Sequence, residues 1–509
     1  MGDLSKLKIA VGQPELVSGK PSVNEQARER MVERAVDAGA DLLVMPGSLE
    51  NPHDVHLVVL NDSRIDVAGN AVYLDACGES YRIGLEPDDM SCDFAVYCDV
   101  TPWTIEADEE DQVEMGFVPA ICLRPVGMRN VAKNVLAFDG GTKVYGADGL
   151  PICVLRDDFE EDLALVRFVG GNRMQEPCEN KLLAALVKTM RRFDAQVLPW
   201  SPKWIIGLSG GLDSSIVAAL LTLAFGVDRV IGYNMATRYN SATTKANASA
   251  LAGTLGIALR NGSIEPLVDA TGEELAQYGY GEDAMTGLVL ENVQARVRGH
   301  LLSTFAAVEG GVVVNNGNRV EAALGYATLY GDAIGALAPI GDLTKTALFD
   351  LARAINGEFG SAVIPENLLP QITDGGFEWD TPPSAELAEG QRDPMKWFYH
   401  DWLIATLLDA ENVDAAACDV LERYLEDRLE GTEAGRWVGF YGLYDPRAFA
   451  DDLEWVLRGM RTAAFKRIQA PPAIRVASKA SINAPAEVQG EIEPSQRFKN
   501  LIERVRSLQ

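Results

Sequence analysis

Residues 203–217, KWIIGLSGGLDSSIV, break an apolar run with a serine and glycine loop and then resume as a second apolar run. A short apolar run ended by glycines reads as a parallel strand covered on both faces, so 204–208 is expected as a buried strand. Gly210 and Gly211 permit a sharp turn and a close approach of backbone to ligand, and a helix is expected to open at Ser214 or Ser215. Free N–H groups and partial positive charge at a helix start favour an anion, so this loop is read as a phosphate cradle. Asp213 stands where a carboxylate could hold the Mg²⁺ that accompanies phosphates. No lysine followed by Ser or Thr closes the loop, so it is not a Walker loop.

Two further stretches extend the same unit. VIGYNM at 230–235 reads as the next parallel strand, and ligands of open α/β sheets lie beyond the carboxyl ends of such strands. VVVNN at 312–316 reads as another, and Glu321 sits one turn past it. One carboxylate holds Mg²⁺ weakly, so Asp213 and Glu321 are expected as a pair at one sheet edge.

The chain has 509 residues, which suggests two to four domains. Its net charge of −29 opposes nucleic acid or an anionic membrane as partner. Seven cysteines without CxxC or zinc spacing read as reduced thiols, and no apolar run reaches the length of a membrane span, so a cytoplasmic protein is expected.

Along the first 170 residues, strands are expected at 8–13, 41–46, 82–86, 93–98, 135–138 and 143–145, with a helix at 23–38, which suggests a layered α/β unit. A polar, turn-rich stretch at 170–180 marks the join, and a helix is expected from Asn180. Residues 291–311 read as a long helix and 388–460 as helical, with aromatic residues assigned to core or subunit contact. SQRFKNLIERVRSLQ is a basic amphipathic helix expected to pack on the acidic body.

SGGLDSS resembles the pyrophosphate loop of the ATP pyrophosphatases, which split ATP between its α and β phosphates. GNRVEAALGYATLYGD and PIGDLTKT narrow the resemblance to NAD⁺ synthetases. The resemblance implies ATP contacts at Ser209, Gly210, Gly211, Asp213, Ser214, Ser215, Asn316, Lys345 and Ser384, and Arg238 is a further candidate from its place at the end of the strand 230–235. The resemblance also implies deamido-NAD⁺ contacts at Arg296, Arg298 and Lys466, Mg²⁺ on Asp213 and Glu321, and a dimeric core, hence a homodimer. Asp213 and Lys345 are the expected catalytic residues.

KIAVGQ, GADLLVMP, RIGLEPDD and NVLAFDGGTKVYGADG resemble the nitrilase-like amidase domain of glutamine-dependent NAD⁺ synthetases. That family uses a glutamate base, a lysine and a nucleophilic cysteine. Here Gly47 stands in the glutamate's place, Pro87 stands in the cysteine's, and no lysine occurs between Lys20 and Lys133. Cys92 and Cys98 lie among Asp88, Asp89, Asp93 and Asp99, whose charges oppose a thiolate.

The expected fold is α/β: a degenerate nitrilase-like sandwich at 1–172, a doubly wound parallel-sheet ATP pyrophosphatase domain at 178–480, and a tail with an amphipathic helix at 481–509. The expected activity is amidation of deamido-NAD⁺ by free or externally supplied ammonia. The alternatives are glutamine-dependent synthesis, a non-catalytic scaffold paralogue, and another ATP pyrophosphatase; acidic charge opposes a tRNA substrate.

Overall fold

The computed structural model describes residues 2–508 apart from 69–70, 88, 109–117, 169, 385, 389, 411 and 478–492. Asp88, Ala385 beside the expected ATP contact Ser384, and the start of the tail thus lie outside the described residues. The chain divides into two compact units, one of residues 1–131 and 135–196, the other of 132–134 and 197–509. The division falls beyond the expected join because the helix Lys181–Val197 packs with the first unit, where Arg192 bonds Phe159 O at 2.6 Å.

In the first unit Ile9–Gln13 pairs with Leu42–Pro46 in parallel and with Asp162–Val166 antiparallel. Alternation sorts its side chains between two cores, as a period of two requires. Ile9 and Val11 meet Leu74, Ile83, Phe94, Val96 and Ile121 of a seven-stranded sheet. Ala10 faces Met31 and Ala35 of the helix Pro21–Asp37. Helix, sheet and sheet are therefore stacked, as the layered reading expects.

The second unit is built on four parallel strands in the order Ala258–Ser263, Val230–Ala236, Lys203–Gly207, Gly311–Val313. In chain order, Lys203–Gly207, Val230–Ala236 and Ala258–Ser263 run outward to one edge, and Gly311–Val313 lies on the other side of Lys203–Gly207. The connections after Lys203–Gly207 and Gly311–Val313 therefore part at a topological switch point, where such sheets leave a crevice. The helix Gly287–Glu309 closes one face through Leu302, Phe305 and Ala306 on Ile205, Tyr233 and Val313.

Among the described residues the helical stretch is four helices, Tyr399–Asp409, Val413–Leu425, Glu433–Phe440 and Pro446–Thr462. Its aromatic residues are largely core: Phe398 stacks on Trp437 at 4.4 Å, and Tyr399 is fully buried. The helix Gln496–Arg506 lies on the second and fourth of these helices and ion-pairs with their acids.

Candidate active site

The phosphate loop folds as its glycines demand. Gly210 has φ +88°, and a Cβ there would stand 1.9 Å from Thr244 O, so only glycine fits. The helix opens earlier than expected, at Leu212, with Gly211 as its cap. The Ser214 and Ser215 hydroxyls both donate to Gly211 O, at 3.1 and 2.8 Å.

Across the switch point, Asn318 caps the short helix Arg319–Leu324. Its side chain accepts from the Glu321 N–H, while its own N–H donates to Glu321 Oε2 at 3.1 Å, a reciprocal capping box. The Asn318 amide also reaches Asp213 Oδ2 at 2.9 Å, tying the two loops together. On the other carboxylate oxygen of Asp213 sits Lys345 Nζ at 2.6 Å. Asn318 escaped the sequence reading, although Asn followed three residues on by Glu is a legible cap signal.

Burial, then the charge of Asp213, pushes the Glu321 carboxyl well above the ordinary carboxylate range. Burial works against the Lys345 ammonium, yet Asp213 and Glu321 outweigh it and its value ends raised. The three groups form one charge cluster short of positive charge. Among the described residues no group of three or more His, Cys, Asp or Glu is gathered as for a metal ion. Two carboxylates suit Mg²⁺, which takes one or two from protein and the rest from phosphates and water.

These residues line a cavity of about 390 Å³. Ser209, Gly211, Asp213, Ser214, Asn316, Glu321, Lys345, Ser384, Arg298 and Lys466 all contribute to its wall. Arg298 donates to Met235 O at 3.1 Å, and burial lowers its value to about 10. Lys466 donates to Gly325 O and Ala327 O, both at 2.7 Å, and burial lowers its value too.

Four expected contacts are not brought to the wall, and each has a physical reason. Arg238 is spent on Glu265, with Nε to Oε2 at 2.9 Å, and points to solvent. Arg296 is exposed, two residues from Arg298 and so on another side of the helix. Ser215 is fully buried behind the loop, and Gly210 backs onto Thr244.

In the first unit, Gly47 follows the strand Leu42–Pro46, and a Cβ there would stand 2.3 Å from Asp54 Oδ1 and 2.5 Å from the His56 ring. Cys92 is buried, its thiol on Asp89 O at 2.9 Å, and burial first and Asp89 second push it up. Burial is likewise the main cause that raises Cys98. The carboxylates named in the sequence reading are thus the lesser cause.

Residues 195–416 match the family described as NAD synthase. A glutamine-dependent NAD(+) synthetase of Synechocystis sp. is 36% identical over 286 residues, 54% of this chain and 47% of that protein. One of Xanthomonas campestris pv. campestris is 30% identical over 359 residues, 68% of this chain and 58% of that protein. The chain thus spans about half the length of these relatives. Among solved structures, the glutamine-dependent NAD+ synthetase of Acinetobacter baumannii in complex with ADP superposes with TM-score 0.60 at 20% identity, covering 94% of this chain and 97% of that one. That of Cytophaga hutchinsonii gives 0.65 at 14%, covering 98% and 99%. These two share the fold, including that of the first unit. The match to the NAD synthase family thus takes in residues 195–416, the stretch that carries the phosphate loop, Glu321 and Lys345.

Proposed function

We propose that the chain makes NAD⁺ by ATP-dependent amidation of deamido-NAD⁺, with AMP and pyrophosphate as the other products. The observation that carries this reading is the convergence of Asp213, Glu321 and Lys345 on one cavity at the switch point of the sheet. A carboxylate is a poor electrophile until its oxygen becomes a phosphate-ester leaving group. In this reading the nicotinate carboxylate attacks the α-phosphorus, pyrophosphate departs, and ammonia then displaces AMP from the acyl carbon. Lys345 and the loop N–H groups face the charge that develops on the leaving pyrophosphate, which is electrostatic catalysis. Arg298 and Lys466 supply local cations for an anionic substrate in a chain of net charge −29. Asp213 and Glu321 would hold Mg²⁺, which when bound offsets phosphate charge. A homodimer acting in the cytoplasm completes the proposal, and no described helix is long and apolar enough to cross a membrane.

The nitrogen source has two readings. The names of the relatives favour glutamine. Gly47, Pro87 and the lysine-free stretch 21–132 favour free or externally supplied ammonia, because thiolate attack on an amide needs nucleophile, base and oxyanion partner together. The test supplies purified protein with deamido-NAD⁺, Mg-ATP and either ammonium or glutamine. Product with ammonium alone fits the residues, product with glutamine fits the names, and no product with either ends the proposal.

A further inference from the structure

Lys345 is the first residue of the helix Lys345–Phe359, and one short segment, 395–401, touches it at both ends. At the backbone end, the buried carboxylate of Asp401 accepts from Lys345 N–H at 3.0 Å and from the Thr346 N–H and hydroxyl at 2.8 and 2.6 Å. An acid at a helix start satisfies free N–H groups and meets the positive end of the helix. At the other end, Lys345 Nζ stands 4.9 Å from the centre of the Trp397 ring, whose residue is 4% exposed.

The segment between the two grips is itself fixed. Phe398 has φ +69°, a left-handed conformation that a bulky residue adopts only when its surroundings enforce it. Asp452, on the helix Pro446–Thr462, takes the side chains of both Lys396 and His400, the latter at 3.0 Å. His400 Nδ1 accepts from Lys396 N–H at 3.0 Å, so the proton on its ring faces Asp452 from Nε2.

We propose that Trp397 and Asp401 are positioning residues for Lys345, with Asp401 fixing the backbone it grows from and the indole face fixing where its ammonium stands. The claim rests on the reading of Lys345 as the pyrophosphate-facing cation. A ring face attracts an ammonium without taking a particular N–H. With one N–H on Asp213, the ammonium is then seated while the other donors stay free for an arriving phosphate. A carboxylate in the tryptophan's place would compete with that phosphate.

The test uses the full chain and the variants W397L, W397F and D401N. Lysine acetylation by acetic anhydride, read peptide by peptide without substrates, reports how Lys345 is seated. W397L should label at Lys345 about tenfold faster than wild type, W397F within about threefold, and D401N faster than wild type. Exposed Lys203 serves as the internal standard for reagent dose, and a melting temperature within a few degrees of wild type shows that the fold of each variant is intact. In turnover, W397L should lower kcat about tenfold, W397F should recover most of it, and KM for deamido-NAD⁺ should stay within about twofold. Equal labelling of Lys345 in wild type, W397L and D401N, or a W397F as poor as W397L, overturns the proposal. A wild-type chain that makes no NAD⁺ ends the functional reading, while the labelling still decides the seating of Lys345.

Discussion

Glu321 holds Asn318 N–H in the capping box and keeps a carboxyl beside Asp213 in a poorly solvated cavity. Its folded value lies above the ordinary 4.5, so the folded chain keeps a proton that the unfolded chain releases. The stability this proton contributes is whole below about pH 4.5 and is lost as pH rises through the folded value. Glu321→Gln keeps the acceptor for Asn318 and removes the titration. Without ligands it should melt higher than wild type at pH 7–8, by about 2–4 °C for each kcal/mol, and the two should converge near pH 4.5. A lower melting point at neutral pH would mean an ionised, well-paired carboxylate and sink the argument. The same substitution should raise the Mg²⁺ needed for turnover. Asp213, Glu321 and Lys345 were legible because each sits in a motif at a strand or helix end. Trp397 was not, since an aromatic at helical spacing looks like core, and it is core while also lying under an ammonium.

Elements were legible where one face is buried and the other wet. The helix Gln496–Arg506 buries Phe498, Leu501, Ile502 and Val505, the i, i+3, i+4, i+7 stripe its sequence displays. Its arginines pair with Asp419, Glu422, Asp451 and Glu454, but these pairs are largely exposed and contribute little. Apolar packing should therefore dominate: Phe498→Ala is expected to cost about 3–5 kcal/mol, Ser495→Ala, which removes the cap on Phe498 N–H, about 1 kcal/mol, and Arg506→Ala less than about 1 kcal/mol. Urea unfolding of the three variants checks the order, and an arginine loss exceeding the phenylalanine loss would mean that charge holds the helix. The strands Val55–Val59, Arg64–Ala68 and Ala71–Ala76 were missed. Arg64–Ala68 is the edge of the seven-stranded sheet and mostly exposed, with Arg64 and Asp66 on it, so it lacks the apolar run that marked the inner strands. Charges on an edge discourage pairing with other chains and also hide the strand from a hydrophobicity reading.

At the scale of the chain, fold and chemistry separate. The parallel sheet of the second unit and its switch point follow from the order of apolar runs and glycine loops, and the site follows from the switch point. The first unit keeps its layers because Ile9, Val11, Phe94 and Val96 still face one another, whatever stands at the strand ends. Sequence resemblance could therefore identify its fold while its activity had to be argued from Gly47 and Pro87. Restoring those two positions tests that argument. Gly47→Glu places a Cβ within 2.3 Å of Asp54 Oδ1 and 2.5 Å of the His56 ring. Both neighbours are side chains and can move, so the overpacking cost is expected at about 1–3 kcal/mol. Pro87→Cys adds a thiol on a segment rich in acids, where thiolate formation is opposed. No lysine between Lys20 and Lys133 is at hand for the oxyanion side. The double variant G47E/P87C should therefore release no ammonia from glutamine above wild type, while its ammonium-dependent turnover persists, because the cavity of the second unit is untouched. Glutamine hydrolysis by the double variant would mean that another cation serves the oxyanion. Hydrolysis by the wild-type chain would mean that this unit cleaves amides with residues other than the glutamate, lysine and cysteine that the resemblance implies.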